Sequence, residues 1–301
     1  MQEKWLPQGF RWSGHHCGLK SDSQKPDYSL IVSDQDAVVA GVYTQNLVCA
    51  APVNLCRERT PGMRARAIVT NSGNANACTG SRGMQDAKQM AADVASQLNV
   101  DPSQVLVMST GIIGEFLPME RLTAASVRGV ETLETGVAAF GDAANAILTT
   151  DKGTKTAGCS IETSQGEVRI ATMAKGAGMI GPNMATMLAV VTTDACLTPE
   201  GAQAILRSAV DKSFNCISVD GHTSTNDTVL LIANGVANES PLSGNDLVQV
   251  AAEIETTLIE LAKQIPDDGE GATHLIEILV HGASSKGDAK QIAETIGSSN
   301  L

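Results

Sequence analysis

A threonine that follows a small residue in a Gly-rich segment has the most distinctive chemistry in this sequence. Residues 175–188 read Lys-Gly-Ala-Gly-Met-Ile-Gly-Pro-Asn-Met-Ala-Thr-Met-Leu, so Thr186 directly follows Ala185. In a bent backbone, the Thr186 hydroxyl can attack the carbonyl carbon of Ala185, and water can then hydrolyse the resulting ester. The new N-terminal residue would carry its own general base, because an α-amine has a pKa of about 7.7–8.0. The pattern therefore indicates self-cleavage followed by nucleophilic catalysis.

The same segment also matches the pattern G-x-G-x-x-G, at Gly176, Gly178 and Gly181. That pattern indicates a dinucleotide site only where a strand precedes it and a helix follows it. A strand is expected at 168–174, but residues 183–193 also favour a strand, because β-branched residues gather near their end. A dinucleotide site is therefore disfavoured, and a purely structural glycine turn is the simpler alternative.

Several other residues could support chemistry at a threonine nucleophile. Ser109-Thr110-Gly111 follows a predicted strand, and the turn amides, together with the Thr110 hydroxyl, would suit a developing oxyanion. Lys175 could hold a carboxylate or lower the pKa of a nearby nucleophile. Thr149 could contact a substrate, and Glu270 lies in an acidic loop that could hold a substrate ammonium group. The simpler alternatives are an ordinary strand-to-loop turn, a solvated lysine, a helix cap and a solvated acidic turn.

Composition narrows the class of protein. The 301 residues carry a net charge of −12, which argues against nucleic acids and anionic membranes as partners. No run approaches the roughly 20 apolar residues of a membrane span, and the first residues lack the apolar core of a signal peptide. Seven cysteines without C-x-x-C spacing predict reduced thiols and a cytoplasmic location. The five histidines show no metal-ligand spacing, so we expect neither a metal nor a bound cofactor.

Hydrophobic periodicity predicts a mixed, layered fold. Alternating apolar and β-branched residues predict strands at 28–33, 37–44, 65–71, 105–109, 156–161, 168–174, 187–192, 216–219, 228–234 and 275–281. A period of 3.6 residues predicts helices at 84–98, 118–133, 136–148, 199–212, 245–265 and 287–296. Because strands and helices are interspersed without strict alternation, and a hairpin is expected at 164–166, we predict a mixed α/β or α+β fold.

A series of short segments resembles one enzyme family in order over nearly the whole chain. The segments are 7–10, 29–34, 71–80, 109–114, 149–151, 173–188, 192–195, 218–221, 223–230 and 268–273. Together they closely resemble the ornithine acetyltransferase (glutamate N-acetyltransferase) family of arginine biosynthesis. The resemblance implies a self-cleaving enzyme with a layered α/β/β/α fold, related to certain aminopeptidases.

The resemblance also implies a reaction and an assembly. Cleavage between Ala185 and Thr186 would give an α chain of residues 1–185 and a β chain of residues 186–301. The threonine would take the acetyl group from N2-acetylornithine as an ester and pass it to glutamate, and some family members also use acetyl-CoA as donor. Two half-reactions through one ester predict ping-pong kinetics. The α and β chains would associate, as a heterotetramer of two α and two β chains.

Roles for individual residues follow from the resemblance in the same way. Thr110 and Gly111 would form the oxyanion hole. Thr149, Lys175 and Glu270 would bind substrate together with Thr186, with Lys175 near the substrate carboxylate or the nucleophile and Glu270 near the ammonium end. The family pattern continues past the counterpart of residue 301 into an Asn-Trp-Gly-Arg motif, which supplies an asparagine and a hydroxyl residue to the substrate site. Since this motif does not occur in the sequence, the resemblance predicts a β chain that lacks that segment.

Two other functions stay open on sequence grounds. One is an aminopeptidase-like hydrolase of the same fold, in which water resolves the ester. The other is an inactive, truncated remnant that folds without turnover. Transfer of acetyl to glutamate separates the acetyltransferase from the hydrolase, whereas absence of both cleavage and transfer would indicate the remnant.

Overall fold

A computed structural model describes residues 3–181 and 187–299. Its strands are β1 Phe10–His15, β2 Tyr28–Tyr43, β3 Gly62–Asn74, β4 Val105–Ile112, β5 Lys155–Thr163, β6 Gly166–Lys175, β7 Leu188–Thr193 and β8 Thr228–Ala233. Its helices are α1 Ala51–Arg57, α2 Gly80–Leu98, α3 Met119–Glu131, α4 Gly136–Ala146, α5 Pro199–Lys212, α6 Gly244–Asp267 and α7 Lys286–Gly297. None of these helices is both long and apolar enough to cross a membrane.

One long strand joins the two halves of the sheet. The hydrogen-bonded order is β4-β3-β2-β8-β7-β6-β5, with β1 also paired to β2. The first half of β2 pairs with β1 and β3, and its second half pairs with β8. Register shifts interrupt the β2–β3 pairing between Val32 and Val39. Because such irregularities bend a strand and increase its twist, β2 can pass from one half of the sheet to the other.

Side-chain alternation along the strands places a core between the two halves of the sheet. Leu106 of β4 and Val190 of β7 belong to the same central cluster, together with Trp12 and Phe140. The next residue along β4, Val107, instead packs in a cluster with α2 and α3. Residues of β7 and β8 that point away from the central cluster pack with α5 and α6 in the same way. The order of layers is therefore helix, sheet, sheet, helix, which confirms the predicted mixed α/β fold with α/β/β/α layering.

Pairing in the sheet is mixed, as predicted. Strands β3 and β4 are parallel, as are β7 and β8, whereas the other paired strands are antiparallel. The predicted hairpin is confirmed, since β5 and β6 pair up to Thr163 and Gly166. The strands predicted at 28–33 and 37–44 form one strand, β2. The structure also contains β1 and α1, which periodicity did not predict.

Two predicted strands were wrong. Residues 275–281 have no regular structure, and Ile276 and Leu279 are 79% and 71% exposed, so their apolar pattern has no buried face. Cys216 ends a short 3₁₀ helix, Phe214–Cys216, and residues 217–219 follow it without forming a strand. The amide of Val219 then donates to the carbonyl of Ile180, in a loop contact rather than a strand ladder. A segment with alternating apolar residues forms a strand only if a partner strand accepts and donates its backbone hydrogen bonds.

Candidate active site

The ends of two parallel strands form one wall of the candidate site. In the β3–β4 register, Ser72 lies opposite Thr110 and Gly73 lies opposite Gly111. Gly111 has φ +134°, and a Cβ there would lie 2.2 Å from the carbonyl carbon of Gly73. Only glycine fits such a close approach of two backbones. Thr110 and Gly111 were predicted to lie in a turn after the strand, but both belong to the last residues of β4. Thr110 is buried whereas Gly111 is exposed, so the predicted oxyanion site opens to solvent at its glycine.

The Lys175 side chain connects this wall to the other half of the sheet. Lys175 is the last residue of β6, and its Nζ donates to Thr110 Oγ1 at 3.3 Å. An ammonium group can only donate, so the Thr110 oxygen accepts and its own proton remains for another acceptor. Burial lowers the pKa of Lys175, and the negative charge of Asp151 opposes this shift. Lys175 is therefore not a solvated lysine, and Thr110 does not lie in an ordinary turn. Their side chains form a buried polar pair.

The predicted nucleophile lies outside the described residues, as do Ala185 and the rest of 182–186. The chain is described again from Met187, the residue directly after Thr186. Met187 precedes Leu188, which pairs with Lys175 in the β6–β7 register. The Met187 amide donates to Asp227 Oδ1 at 3.0 Å, and its carbonyl accepts from Thr228. The described chain therefore resumes beside Lys175, where β6 ends and β7 begins.

A buried ionic cluster fixes the loops around Lys175. Lys155, which is 2% exposed, donates from Nζ to Asp151 Oδ1 at 2.7 Å and to Asp268 Oδ2 at 2.6 Å. Asp151 Oδ1 also accepts from the amide of Gly176, at 2.7 Å. Burial alone would raise the pKa of Asp151, but the charges of Lys175 and Lys155 and its hydrogen bonds lower it below the usual carboxyl value. Asp151 is therefore an anion that is paired with Lys155 and stabilised by the charge of Lys175.

Thr149 and Glu270, the other predicted substrate residues, adjoin this cluster. The amide of Thr149 donates to Asp151 Oδ2 at 3.1 Å. The amide of Glu270 donates to the carbonyl of Ala177 at 2.7 Å, and a Cβ at Gly178 would lie 2.8 Å from Glu270 Cδ. The exposed Glu270 side chain thus lies on the glycine segment that follows Lys175. Sequence reasoning placed these residues in separate loops, and the structure brings them together.

Two of the supporting residues were not predicted from the sequence. Lys155 resembles many lysines near a turn, and its burial depends on two acids from distant segments. Asn226 donates from Nδ2 to the carbonyls of Ala75 and Ser109, at 2.7 and 2.8 Å, and so holds the residue before Thr110. Its position in the polar segment 220–227 was the only sequence signal for such a role.

Asp227 is a buried carboxyl group beside Met187. It is fully buried, and its Oδ2 has no hydrogen-bond partner among the described residues. Burial raises its pKa to about 8, against the opposing effects of the Met187 amide, nearby hydroxyl groups and the Lys175 charge. The folded protein therefore keeps Asp227 protonated at neutral pH, where the unfolded chain would ionise it. Its contribution to stability is complete below the ordinary carboxyl pKa of about 4 and is lost as the pH rises to about 8.

Substituting Asp227→Asn should reduce this loss of stability. The asparagine oxygen can still accept from Met187, and the amide stays neutral at every pH. We expect the free energy of unfolding to fall between pH 5 and pH 8 by less in the variant than in the wild type, with a difference on the order of 1 kcal/mol or more. Urea unfolding at a series of pH values and equal protein concentration measures this. Parallel pH dependence in the two proteins would show that Asp227 is already ionised in the folded state.

The comparisons with known proteins agree on one family. Residues 11–301 match the model of the ArgJ family. The arginine biosynthesis bifunctional protein ArgJ of Rhodopirellula baltica is 47% identical over 299 residues, covering 98% of this chain and 73% of the relative. The crystal structure of ornithine acetyltransferase from Mycobacterium tuberculosis, complexed with ornithine, is 38% identical. It matches with a TM-score of 0.55, over 60% of this chain and 95% of that chain.

A more distant structure shares the fold alone. The L-aminopeptidase D-Ala-esterase/amidase from Ochrobactrum anthropi is described as a variant of the Ntn hydrolase fold. It is 12% identical, with a TM-score of 0.54 over 85% of this chain and 83% of that chain. The predicted relation of the fold to aminopeptidases is therefore confirmed, as is the predicted family resemblance. Because the family match spans residues 11–301 and relatives are up to 47% identical over nearly the whole length, this chain belongs to the ArgJ family.

Proposed function

We propose that this chain is a glutamate N-acetyltransferase of arginine biosynthesis. Thr186 takes the acetyl group from N2-acetylornithine and passes it to glutamate. The main support for the proposal is the buried hydrogen bond from Lys175 to the Thr110 hydroxyl. It lies at the end of β6, beside the point where the described chain resumes at Met187. Membership of the ArgJ family makes acetyl transfer the reaction to expect there.

Self-cleavage precedes transfer in this proposal. The Thr186 hydroxyl attacks the carbonyl carbon of Ala185, and the peptide C–N bond breaks as the acyl group moves from nitrogen to oxygen. Water then hydrolyses the ester, which leaves a carboxylate on Ala185 and a free amine on Thr186. The products are an α chain of residues 1–185 and a β chain of residues 186–301. The free amine becomes the general base for the hydroxyl of the same residue.

The sheet would keep the two fragments together after cleavage. Strands β7 and β8 belong to segment 186–301, and they lie between β6 and β2 of segment 1–185. The β2–β8 and β6–β7 ladders and the Lys155–Asp268 ion pair all connect the two segments. The proposed heterotetramer of two α and two β chains stays a prediction.

Acetyl transfer uses the same threonine. Its oxygen attacks the acetyl carbonyl of N2-acetylornithine, and the developing oxyanion receives hydrogen bonds from the Thr110 hydroxyl and the Gly111 amide. The C–N bond breaks, and ornithine leaves with a proton from the Thr186 ammonium group. The α-amine of glutamate then attacks the acetyl ester, and the Thr186 hydroxyl is restored. No cofactor takes part in these steps, and acetyl-CoA as an alternative donor stays a prediction.

Substrate recognition falls to the residues gathered around Lys175. The Glu270 carboxylate is exposed and suits the ammonium end of an amino acid. The Thr149 amide donates to Asp151, and the charge of Lys175 acts on the same carboxylate, so both residues adjoin one part of the site. We assign both to the substrate carboxylate. The substrates are therefore small amino acids that carry both charges.

A transfer assay tests the proposed function. The purified protein is incubated with N2-acetylornithine, with and without glutamate, and free ornithine and N-acetylglutamate are measured. We expect N-acetylglutamate to form at a rate equal to ornithine release, with parallel lines in double-reciprocal plots. Ornithine release that does not depend on glutamate would instead indicate a hydrolase. Lack of ornithine release under both conditions would contradict the proposal.

A further inference from the structure

Lys20 lies in the loop between β1 and β2, and the backbone of that loop is fixed. The buried carboxylate of Asp27 accepts from the amides of Cys17, Leu19 and Lys20, at 2.6, 2.8 and 2.8 Å. Three charge-assisted hydrogen bonds hold the loop in one conformation. The backbone from which the Lys20 side chain extends is therefore preorganised.

The Lys20 side chain runs between two walls of the candidate site. Its Nζ donates to the carbonyls of Pro26 and Leu148, each at 2.7 Å, and Leu148 directly precedes Thr149. Its stem passes over Gly73, where an added Cβ would lie 3.5 Å from Lys20 Cγ. Gly73 is the residue that lies against Gly111 at the end of β4. Lys20 therefore adjoins both the predicted oxyanion residues and the predicted substrate-binding residue Thr149.

The Lys20 ammonium group has unused binding capacity. An ammonium group has three N–H donors, and the two carbonyls take two of them. Across residues 3–181 and 187–299, no carboxylate forms an ion pair with it, since Asp27 is bonded to loop amides and Asp151 is bonded to Lys155. Burial and the neighbouring charge of Lys175 lower its pKa to about 8, so most of it is still charged at neutral pH. A half-buried cation of this kind attracts an anion.

We propose that Lys20 is a second ammonium group, beside Lys175, that binds the α-carboxylate of the amino-acid substrate. The inference rests on the proposed function and extends it to a residue outside the predicted site. The donor N2-acetylornithine and the acceptor glutamate both carry an α-carboxylate, so one subsite serves both half-reactions. Binding of one carboxylate by two ammonium groups also explains why Lys20 and Lys175 lie near each other in a protein with a net charge of −12.

The test compares two ligands that differ only in the α-carboxylate. Binding of ornithine and of 1,4-diaminobutane is measured by calorimetry with the wild type, Lys20→Met and Lys20→Arg. We expect Lys20→Met to weaken ornithine binding about 10-fold or more, because a hydrogen bond between two charged groups is lost. Binding of the diamine should be unchanged or tighter, because a repelling cation has gone. Lys20→Arg should keep most of the preference for ornithine.

A control separates this role from loop anchoring. Lys25→Met changes an exposed lysine of the same loop and should leave both affinities as in the wild type. A purely structural role of Lys20 predicts that Lys20→Met weakens both ligands equally, and that result would overturn the inference. A wild type that does not prefer ornithine would overturn it too. Failure of the proposed function shows separately, as absence of acetyl transfer by the wild type.

Discussion

Replacing Lys155 with methionine should destabilise the fold by about 3–5 kcal/mol, which is the usual cost of breaking a buried ion pair from one side. Lys155 is the only described cation within ion-pair distance of both Asp151 and Asp268. Without it, two carboxyl groups would face each other in a site where the Asp151 side chain is fully buried. Methionine keeps the length of the stem, so the change isolates the charge.

Urea unfolding measures the effect, with Lys152→Met as the matched control. Lys152 lies three residues away, and its side chain is exposed. Both variants are made with Thr186→Ala, which is expected to keep the chain uncut, so that unfolding does not depend on fragment concentration. The Lys152 variant should unfold within about 0.5 kcal/mol of its parent. Equal midpoints for the Lys155 and Lys152 variants would contradict the buried cluster.

Replacing Thr110 with valine should lower kcat for acetyl transfer by about 10²–10³-fold, as loss of one oxyanion donor does in other enzymes. Valine has nearly the same shape as threonine and suits this buried position. It removes the hydroxyl that accepts from Lys175 and that we assign to the oxyanion. Because the lost interaction strengthens in the transition state, KM should change little.

Thr110→Ser is the matched control for this prediction. Serine keeps the hydroxyl and loses only a methyl group, so we expect kcat to stay within about 10-fold of the wild type. We propose that Thr110 and Gly111 also serve self-cleavage, so each rate is divided by the fraction of cleaved protein, which mass spectrometry measures. A Thr110→Val enzyme whose cleaved fraction works as fast as the Thr110→Ser enzyme would exclude Thr110 from the oxyanion hole.

The sequence predicted the parts of the site better than their assembly. Thr110 and Gly111 were predicted to lie in a glycine turn after a strand, because glycine can place backbone amides where side chains would clash. The structure instead continues β4 through both residues, with Gly111 packed against Gly73. The contact between Lys175 and Thr110 was not predicted, because it joins strands from the two halves of the sheet. Such a contact depends on how β2 bends, and local periodicity does not contain that information.

The same limit explains the missed lysines and the wrong strands. Lys155 and Lys20 are indistinguishable in sequence from exposed lysines, and only tertiary contacts bury the first and fix the second. Residues 275–281 have the alternation of a strand, yet no partner strand among the described residues pairs with them. Burial and strand pairing are properties of the whole fold. Composition and spacing therefore predict which residues could take part in catalysis or binding, but not which of them contact one another.

Self-cleavage and acetylation at Thr186 both change the mass of the C-terminal fragment. Purified wild type and Thr186→Ala are incubated with N2-acetylornithine in the absence of glutamate and measured by intact-mass spectrometry. We expect two polypeptides in the wild type, divided between Ala185 and Thr186, with one acetyl group on the fragment that begins at Thr186. Added glutamate should remove this acetyl group, and Thr186→Ala should stay uncut and unmodified. Cleavage that persists in Thr186→Ala, or an acetyl group on the other fragment, would show that Thr186 is not the nucleophile.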